Sequence, residues 1–536
     1  MNGNMMPYQL TLTSIVRHTC RLFPDTEIVS QFSNKALCRQ TYREFFDRTL
    51  RLAAAFQEAG LRRGDRVASL MWNSHAHLEA YFGVPAAGGV LHTLNLRLHP
   101  SELVYIINHA EDRFLIVDES LLTIYEQVRR EAHFERVWVV TLSGKPPAPL
   151  EDYEEWLAHT RGNTALPTLA EDDAASLCYT SGTTGKPKGV LYSHRALVLH
   201  ALAVSLPDQL NYSRHDVVLP AINMFHANAM GMAHCATLVG AKQVFPGPYL
   251  QAESLLDLME KERVTIAGGV PTVWLAVLEA LDRDPHRWRL MPQLRLQVGG
   301  SAAPESMIRR LDRHGIRLIH VWGMTETTPL CTISTLKNGM ENLHEDRQIE
   351  IRARQGLPEP FVDLRAMADD REVPWDGATL GELQVRSPWA AAQYYHFPEA
   401  RDRWTEDGWL RTGDVVNIDP EGYIKIADRT KDLIKSGGEW ISSVDVENAL
   451  VAHAAVREAA VIGVPHPKWQ ERPFAVVVLK DGLHTTPREL HDFLAEKFAK
   501  WQLPDAIVFV PELPHTSTGK LLKSELRKQY QNWTWT

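Results

Sequence analysis

The sequence predicts an α/β chain with a large N-terminal domain of doubly wound sheets, a barrel-like β subdomain, and a small α+β domain at the C-terminus. Three observations predict it. Short apolar strands alternate with amphipathic helices through much of the first half, short strands with turn signals take over from about residue 350, and a compact mixture of helices and strands follows residue 431.

Each element has a local reason. Tyr42 to Ala59 spaces Phe45, Leu50, Ala53 and Phe56 near helical period, and Arg66 to Leu70 follows as a strand after the turn at Gly64 and Asp65. The same alternation recurs at Ser101 to Ala110 before Phe114 to Val117, and at Leu255 to Arg263 before Val264 to Ala267. Such a repeat favours parallel, doubly wound sheets. The barrel-like region is marked by turns at Asp376-Gly377, Asp407-Gly408 and Pro420 to Gly422. The last unit is predicted as helix Val444 to Ala452, strands Ala459 to Val464 and Phe474 to Leu479, helix Pro487 to Phe498 and strand Ile507 to Val510. The expected division is residues 1–430 and 431–536, the second of a size that can bury its own core.

With 536 residues, 44% hydrophobic and 23% charged, the chain is too long for one small binding module and too apolar for a disordered one. A formal charge of -9, with no basic tract, argues against nucleic acid as a main partner. Five cysteines without a CxxC pair suggest a reducing compartment and no structural zinc. No basic-then-apolar leader and no long apolar run are visible, so a soluble cytoplasmic protein is expected, with peripheral membrane contact left open.

The strongest chemical signal is YTSGTTGKPKGV at Tyr179 to Val190, after the apolar stretch Ala175 to Cys178. Glycines let backbone N–H groups approach a phosphate, hydroxyls donate to it, and lysines supply charge. The spacing is not that of a Walker loop, since two residues separate Gly182 from Gly185 and Pro187 follows Lys186.

This stretch resembles the phosphate-loop signature of the adenylate-forming (AMP-binding) superfamily. Five further motifs follow in the family's order: GGSAAP at 299–304, WGMTET at 322–327, WLRTGD at 409–414, DRTKDLIKSGGE at 428–439 and PHTSTGK at 514–520. GGEWISSVDVENAL at 437–450 is most similar to bacterial medium- and long-chain fatty acyl-CoA synthetases. The resemblance implies that residues 1–430 bind acid and ATP, and that a mobile domain from 431 carries a catalytic lysine.

It also implies roles. Lys520 would bridge the acyl oxygen and the α-phosphate, placing positive charge where two anions meet. Thr180, Ser181, Gly182, Thr183, Thr184, Gly185 and Lys188 would hold phosphates, and Glu326 with Thr180 would hold Mg2+. Gly300, Ser301, Ala302, His320, Val321, Trp322, Gly323 and Thr325 would line the nucleotide, with the Trp322 ring facing adenine where many relatives carry Tyr. Asp414 would accept from both ribose hydroxyls, and Arg429 would assist. Lys431 matches the hinge, and Lys435 a nucleotide contact in one of two domain states. Gly437, Gly438 and Trp440 complete the cofactor-binding set. The two glycines would leave room for the pantetheine arm of CoA, although a turn needing positive φ would also explain them. Phe225, His226 and Met230 would border the acid, in a segment where some long-chain relatives have a Trp gate at the Met230 position. His226 stands between catalysis and an ordinary core role.

The activity so implied is ATP-dependent ligation of a medium- or long-chain fatty acid to CoA through an acyl-adenylate, in a homodimer. Alternatives are a ligase for a short, branched, aromatic or thioether acid, transfer to a carrier protein, or a nucleotide-binding regulator without turnover. Lys520, Glu326 and Asp414 argue against the last.

Overall fold

The computed structural model describes residues 3–142, 144–160, 165–180, 186–436, 439–515 and 521–535, the side chain of Glu439 aside. Among them, parallel strands dominate the first two sheets. The nine-stranded sheet has the spatial order Leu357–Pro358, Leu330–Ile333, Arg317–Gly323, Arg295–Val298, Ile266–Gly269, Val217–Pro220, Lys242–Phe245, Glu27–Gln31, Leu37–Thr41. It is parallel from Arg317–Gly323 through Glu27–Gln31 and antiparallel at both edges. The seven-stranded sheet runs Glu151–Asp152, Arg136–Val140, Asp112–Asp118, Arg66–Leu70, Val90–Thr93, Ala174–Tyr179, Gly189–Ser193, and its last pair is antiparallel.

Helices cover these sheets, so inner strands lose the alternation of a half-exposed strand: every residue of Val90–Thr93 is buried. Helix Tyr42–Glu58 starts at a capping box between Thr41 and Glu44 and buries Tyr42, Phe45, Leu52 and Phe56. The predicted strand Arg66–Leu70 matches the structure residue for residue. The helix expected over Leu255 to Arg263 runs Ala252–Glu262, because Arg263 turns left-handed at φ 58° and ends it.

The barrel-like region is a five-stranded antiparallel sheet ordered Arg371–Glu372, Asp363–Ala368, Gly381–Arg386, Leu410–Ile418, Ile424–Arg429. A bridge from Ile424 to Gly356 ties its last strand to the nine-stranded sheet. The small C-terminal domain is built on the long antiparallel pair Val456–His466 and Gln470–Leu479, flanked by Ile434–Ser436, Glu439–Ile441 and the parallel strand Ala506–Phe509. Val446, Leu450, Val461, Val477, Leu490 and Leu494 form one of its cores. No helix among the described residues is long and apolar enough to cross a membrane. All five cysteines are free thiols.

Candidate active site

Strand Arg317–Gly323 of the nine-stranded sheet delivers the aromatic motif. His320 is buried, its Nδ1–H donates to the Ala353 carbonyl at 3.0 Å, and burial pulls its pKa down to about 4, against backbone hydrogen bonds that include one to Ser301. A neutral His320 thus joins this strand to the segment carrying Gly300, Ser301 and Ala302, where Gly300 has φ +88°. Val321 faces the same place, since a Cβ on Gly299 would come within 3.0 Å of Val321 Cγ2. Gly323 lies at a bulge where the antiparallel register to Leu330 shifts.

Trp322 reaches across to the antiparallel sheet. Its Nε1–H donates to Asp414 Oδ2 at 3.0 Å, and Arg429 Nε pairs with Asp414 Oδ1 at 2.6 Å. Asp414 is 1% exposed, so its charge is held by these two partners. A ribose would share oxygens that each keep a second lone pair. In the next turn, Glu326 Oε1 accepts from the Tyr394 hydroxyl at 2.5 Å, and the Tyr192 hydroxyl donates to the Thr325 carbonyl at 2.6 Å. Burial, followed by the Glu326 charge, pushes the Tyr394 phenol well above its ordinary value.

The stems of the predicted phosphate loop meet close by. Thr180 N–H donates to the Lys188 carbonyl at 2.9 Å, and Lys188 N–H donates to Thr180 Oγ1 at 3.1 Å. Lys188 Nζ lies 5.6 Å from the centre of the Tyr394 ring, the same tyrosine that holds Glu326. Mg2+ would find at Glu326 a buried, hard anionic oxygen, while the Thr180 hydroxyl is already engaged by Lys188. The described residues contain no group of three or more His, Cys, Asp or Glu able to hold a metal. That donor set fits Mg2+, which commonly takes one or two carboxylates and completes its shell with water and phosphate.

The predicted acid segment has unusual backbone. Ala227, Asn228, Ala229 and Met230 have φ of 40°, 51°, 51° and 57°, and Gly231 continues at 74°. Left-handed conformation costs L-residues about 1 to 2 kcal/mol each, so four in a row persist only where the surroundings impose them. They do so here. Asn73 donates to the Pro220 and Ile222 carbonyls at 2.9 and 2.8 Å and accepts from Met224 N–H at 2.8 Å, while Tyr81 donates to the Met224 carbonyl. Thr93 donates to the Phe225 carbonyl at 3.3 Å, and Asn228 Oδ1 accepts from Ser176 at 3.4 Å. Phe225 and Met230 are buried and His226 is half-buried. Met230 meets the strand Arg317–Gly323, predicted to line the nucleotide: a Cβ on Gly299 would lie 3.0 Å from Met230 Cε, as from Val321.

Strand Ile424–Arg429 links this site to the C-terminal domain through two adjacent side chains. Arg429 turns to Asp414, and Asp428 Oδ2 accepts from Ser443 N–H at 2.9 Å and from its hydroxyl at 2.5 Å. Lys523 donates to Ser443 Oγ at 2.5 Å and pairs with Glu447 at 2.7 Å. Burial pushes Glu447 up to about 7 against the Lys523 charge. Lys435 and Trp440 make their contacts with each other, Nζ lying 5.3 Å from the ring centre, on the hairpin that begins at Ile434. Lys431 stands exposed between Arg429 and that hairpin.

Ser181, Gly182, Thr183, Thr184, Gly185, Gly437, Gly438 and Lys520 lie outside the described residues. Tyr394, Tyr192, Asn73 and Lys523 were missed by sequence reasoning. Each acts on a partner distant in the chain and stands in no motif whose spacing announces it.

The description of the AMP-binding enzyme family matches residues 16–395, and that of the AMP-binding enzyme C-terminal domain matches residues 445–520. The chain belongs to the AMP-binding enzyme family. It is 49% identical to the long-chain-fatty-acid–CoA ligase of Thermus thermophilus over 99% of this chain and 97% of that one. It is 42% identical to the 3-methylmercaptopropionyl-CoA ligase of Ruegeria lacuscaerulensis over 99% of both chains. Its fold matches the crystal structure of an anthranilate CoA ligase in complex with anthranoyl-AMP, with a TM-score of 0.87, 25% identity and 99% of each chain covered.

Proposed function

We propose that this AMP-forming acyl-CoA ligase joins a medium- or long-chain fatty acid to coenzyme A through an acyl-adenylate. The observation that carries the reading is the meeting at Gly299, where Met230 of the acid segment and Val321 of the nucleotide strand face one backbone position. An acid lying along the first would present its carboxylate to a nucleotide lying along the second.

In the first step a carboxylate oxygen attacks the α-phosphorus of ATP, and the bond from that phosphorus to the bridging oxygen breaks to release pyrophosphate. Trp322, Asp414 and Arg429 orient the nucleoside, and the loop from Thr180 to Lys188 takes the phosphates. Lys520 supplies positive charge between the two anions. Mg2+ at Glu326, when bound, neutralises phosphate charge. In the second step the CoA sulfur attacks the acyl carbonyl carbon and AMP leaves with its oxygen. We place the domain boundary at 430/431 with Lys431 as the pivot, so that a turn there replaces the Lys520 face by the Gly437-Gly438 face, with Trp440 and Lys435 beside it. His226 is placed at the carboxylate end of the acid site. Cytoplasmic location and a homodimer belong to the same proposal.

The test is a panel of straight, branched, aromatic and thioether acids incubated with ATP and CoA, scored for thioester and AMP together. Straight aliphatic acids should lead in kcat/KM. A lead by the thioether or aromatic acids, which the two less similar relatives suggest by name, would replace the substrate class and keep the reaction.

A further inference from the structure

We infer that the acid pocket is built for a medium-chain aliphatic acid carrying a hydroxyl at its far end, held by the side-chain amide of Gln297. The inference rests on the acyl-ligase reading and narrows its substrate.

Gln297 lies in strand Arg295–Val298, and its neighbours Leu296 and Val298 point into the core around Trp274. Its own side chain points the other way, to the face occupied by Tyr212 and the acid segment. Gln297 is 1% exposed; Nε2 donates to the Tyr212 hydroxyl at 2.6 Å, and Oε1 has no hydrogen-bond partner among the described residues. A buried amide oxygen left unpaired is costly, and such groups in native proteins usually mark a missing ligand or water.

What surrounds it is space that the acid segment fills. A Cβ on Gly268, in the adjacent strand, would lie 2.3 Å from Met232 Sδ and 3.6 Å from Gln297 Oε1. Two residues along from Gln297, a Cβ on Gly299 would lie 3.0 Å from Met230 Cε. Two methionines, one ending the left-handed non-glycine run and one opening the helix after it, thus rest on two glycines of one sheet. Unbranched thioether side chains change rotamer readily, and bare backbone leaves room for a chain to take their place. An acid entering at Gly299 and displacing first Met230 and then Met232 would reach the open amide.

The chemistry of that contact selects a hydroxyl. The amide can be turned so that Tyr212 donates to Oε1, which leaves Nε2 open instead; a hydroxyl can donate to one or accept from the other. A second carboxylate would need a cation. Arg295, close enough to act on Tyr212, is committed to Asp216 and to the Leu210 and Asn211 carbonyls. Side chains two residues apart on one strand face are separated by roughly 7 Å, about the reach of a six-carbon chain from carboxylate to terminal oxygen.

The experiment compares hexanoate with its ω-hydroxy analogue, by kcat/KM and by calorimetric binding to the protein with AMP present. The wild type should favour the hydroxy acid by about 10-fold or more in both readouts. In Gln297→Leu that ratio should fall to one or below, with the KM for ATP unchanged. Tyr212→Phe, which frees the amide without removing it, should lower the ratio by less and serves if the leucine variant does not fold. Preference for hexanoate by the wild type, or a ratio unmoved in both variants, overturns the inference. Loss of all thioester formation with a persisting binding preference would instead overturn the ligase reading and keep the pocket.

Discussion

The proposed nucleotide side and acid side of this site meet on one sheet and differ in how their polar groups are spent. Along the first, Trp322, Asp414 and Arg429 satisfy one another, Tyr394 holds Glu326, and His320 is fixed to a carbonyl. Along the second, Asn228 Nδ2, His234 Nδ1 and Gln297 Oε1 are buried without hydrogen-bond partners among the described residues, and the backbone from Ala227 to Met230 is left-handed. The difference follows from the task. A nucleotide is the same in every turnover, so its groups can be set in advance, whereas a pocket that reads one acid among many keeps unspent contacts until that acid arrives.

Glu359 breaks this pattern and gives the largest expected effect. It sits beside the strand Leu330–Ile333 that pairs with Arg317–Gly323, its N–H bonded to the carbonyl of Cys331, yet both side-chain oxygens are buried without a partner among the described residues and burial pushes its pKa up from 4.5 to about 8. The folded state therefore holds this proton more tightly than the unfolded chain. Its stabilising contribution is complete below pH 4.5 and is lost as pH rises to about 8, up to a ceiling on the order of 5 kcal/mol. Glu359→Gln should melt higher than wild type at pH 8 and no higher at pH 4.5. Parallel melting curves at all pH values would mean that Glu359 is ionised and paired in solution.

Lys520 tests whether charge is brought to the point where the two sides meet. Lys520→Ala should slow acyl-adenylate formation about 100- to 1000-fold, the 3 to 4 kcal/mol typical of one electrostatic donor, and should slow thioester formation from supplied acyl-adenylate far less. Equal loss in the two half-reactions, measured by single turnover, would remove it from the first step.

Much of what meets on the proposed nucleotide side was legible in the sequence because its motifs are written in consecutive residues. WGMTET and WLRTGD each place a strand end and a polar residue together, and the strand Arg317–Gly323 and the Leu410–Ile418 pairing bring them into contact. The alternation of strands and helices likewise foretold the parallel sheets. The acid side was not legible for two physical reasons. Alanine and methionine favour the right-handed helix, so nothing in HANAM announces a left-handed run entered from a stretch that Asn73, Tyr81 and Thr93 hold from far along the chain. Gln297 did leave a trace, as a polar residue in LRLQV within a strand buried on both faces, but the motif that follows it drew the reading forward to Gly299. The Asp428–Ser443–Lys523 junction joins residues up to 95 apart and no local pattern encodes it.

Asp414→Asn asks whether the two sides are independent. It keeps the shape and an acceptor for Trp322 but removes the charge that faces Arg429. A charge-assisted hydrogen bond contributes about 1.5 to 3 kcal/mol, so the KM for ATP should rise roughly 10- to 100-fold. The ranking of acids by kcat/KM should not change. A shift in that ranking would show the pre-set side tuning the adaptable one.

Met230→Trp probes the point where the two sides touch, and its effect should be the smallest. Met230 is 6% exposed, and its Cε rests against the bare backbone of Gly299 beside Val321. Its φ of 57° is already left-handed, so the substitution adds volume and little new backbone strain. Overpacking of this kind costs about 1 to 3 kcal/mol, borne by whatever must share the space. If that is the acid, longer and bulkier acids lose kcat/KM most, short ones little, and the KM for ATP stays put, because Trp322 and Asp414 are held by each other. If Met230 is ordinary core packing, the cost falls on folding, and the variant melts lower with its acid profile intact. An acyl-length series read beside a melting curve separates the two. A lowered melting temperature with an unchanged profile would move Met230 out of the acid site and leave Gly299 as a packing contact alone.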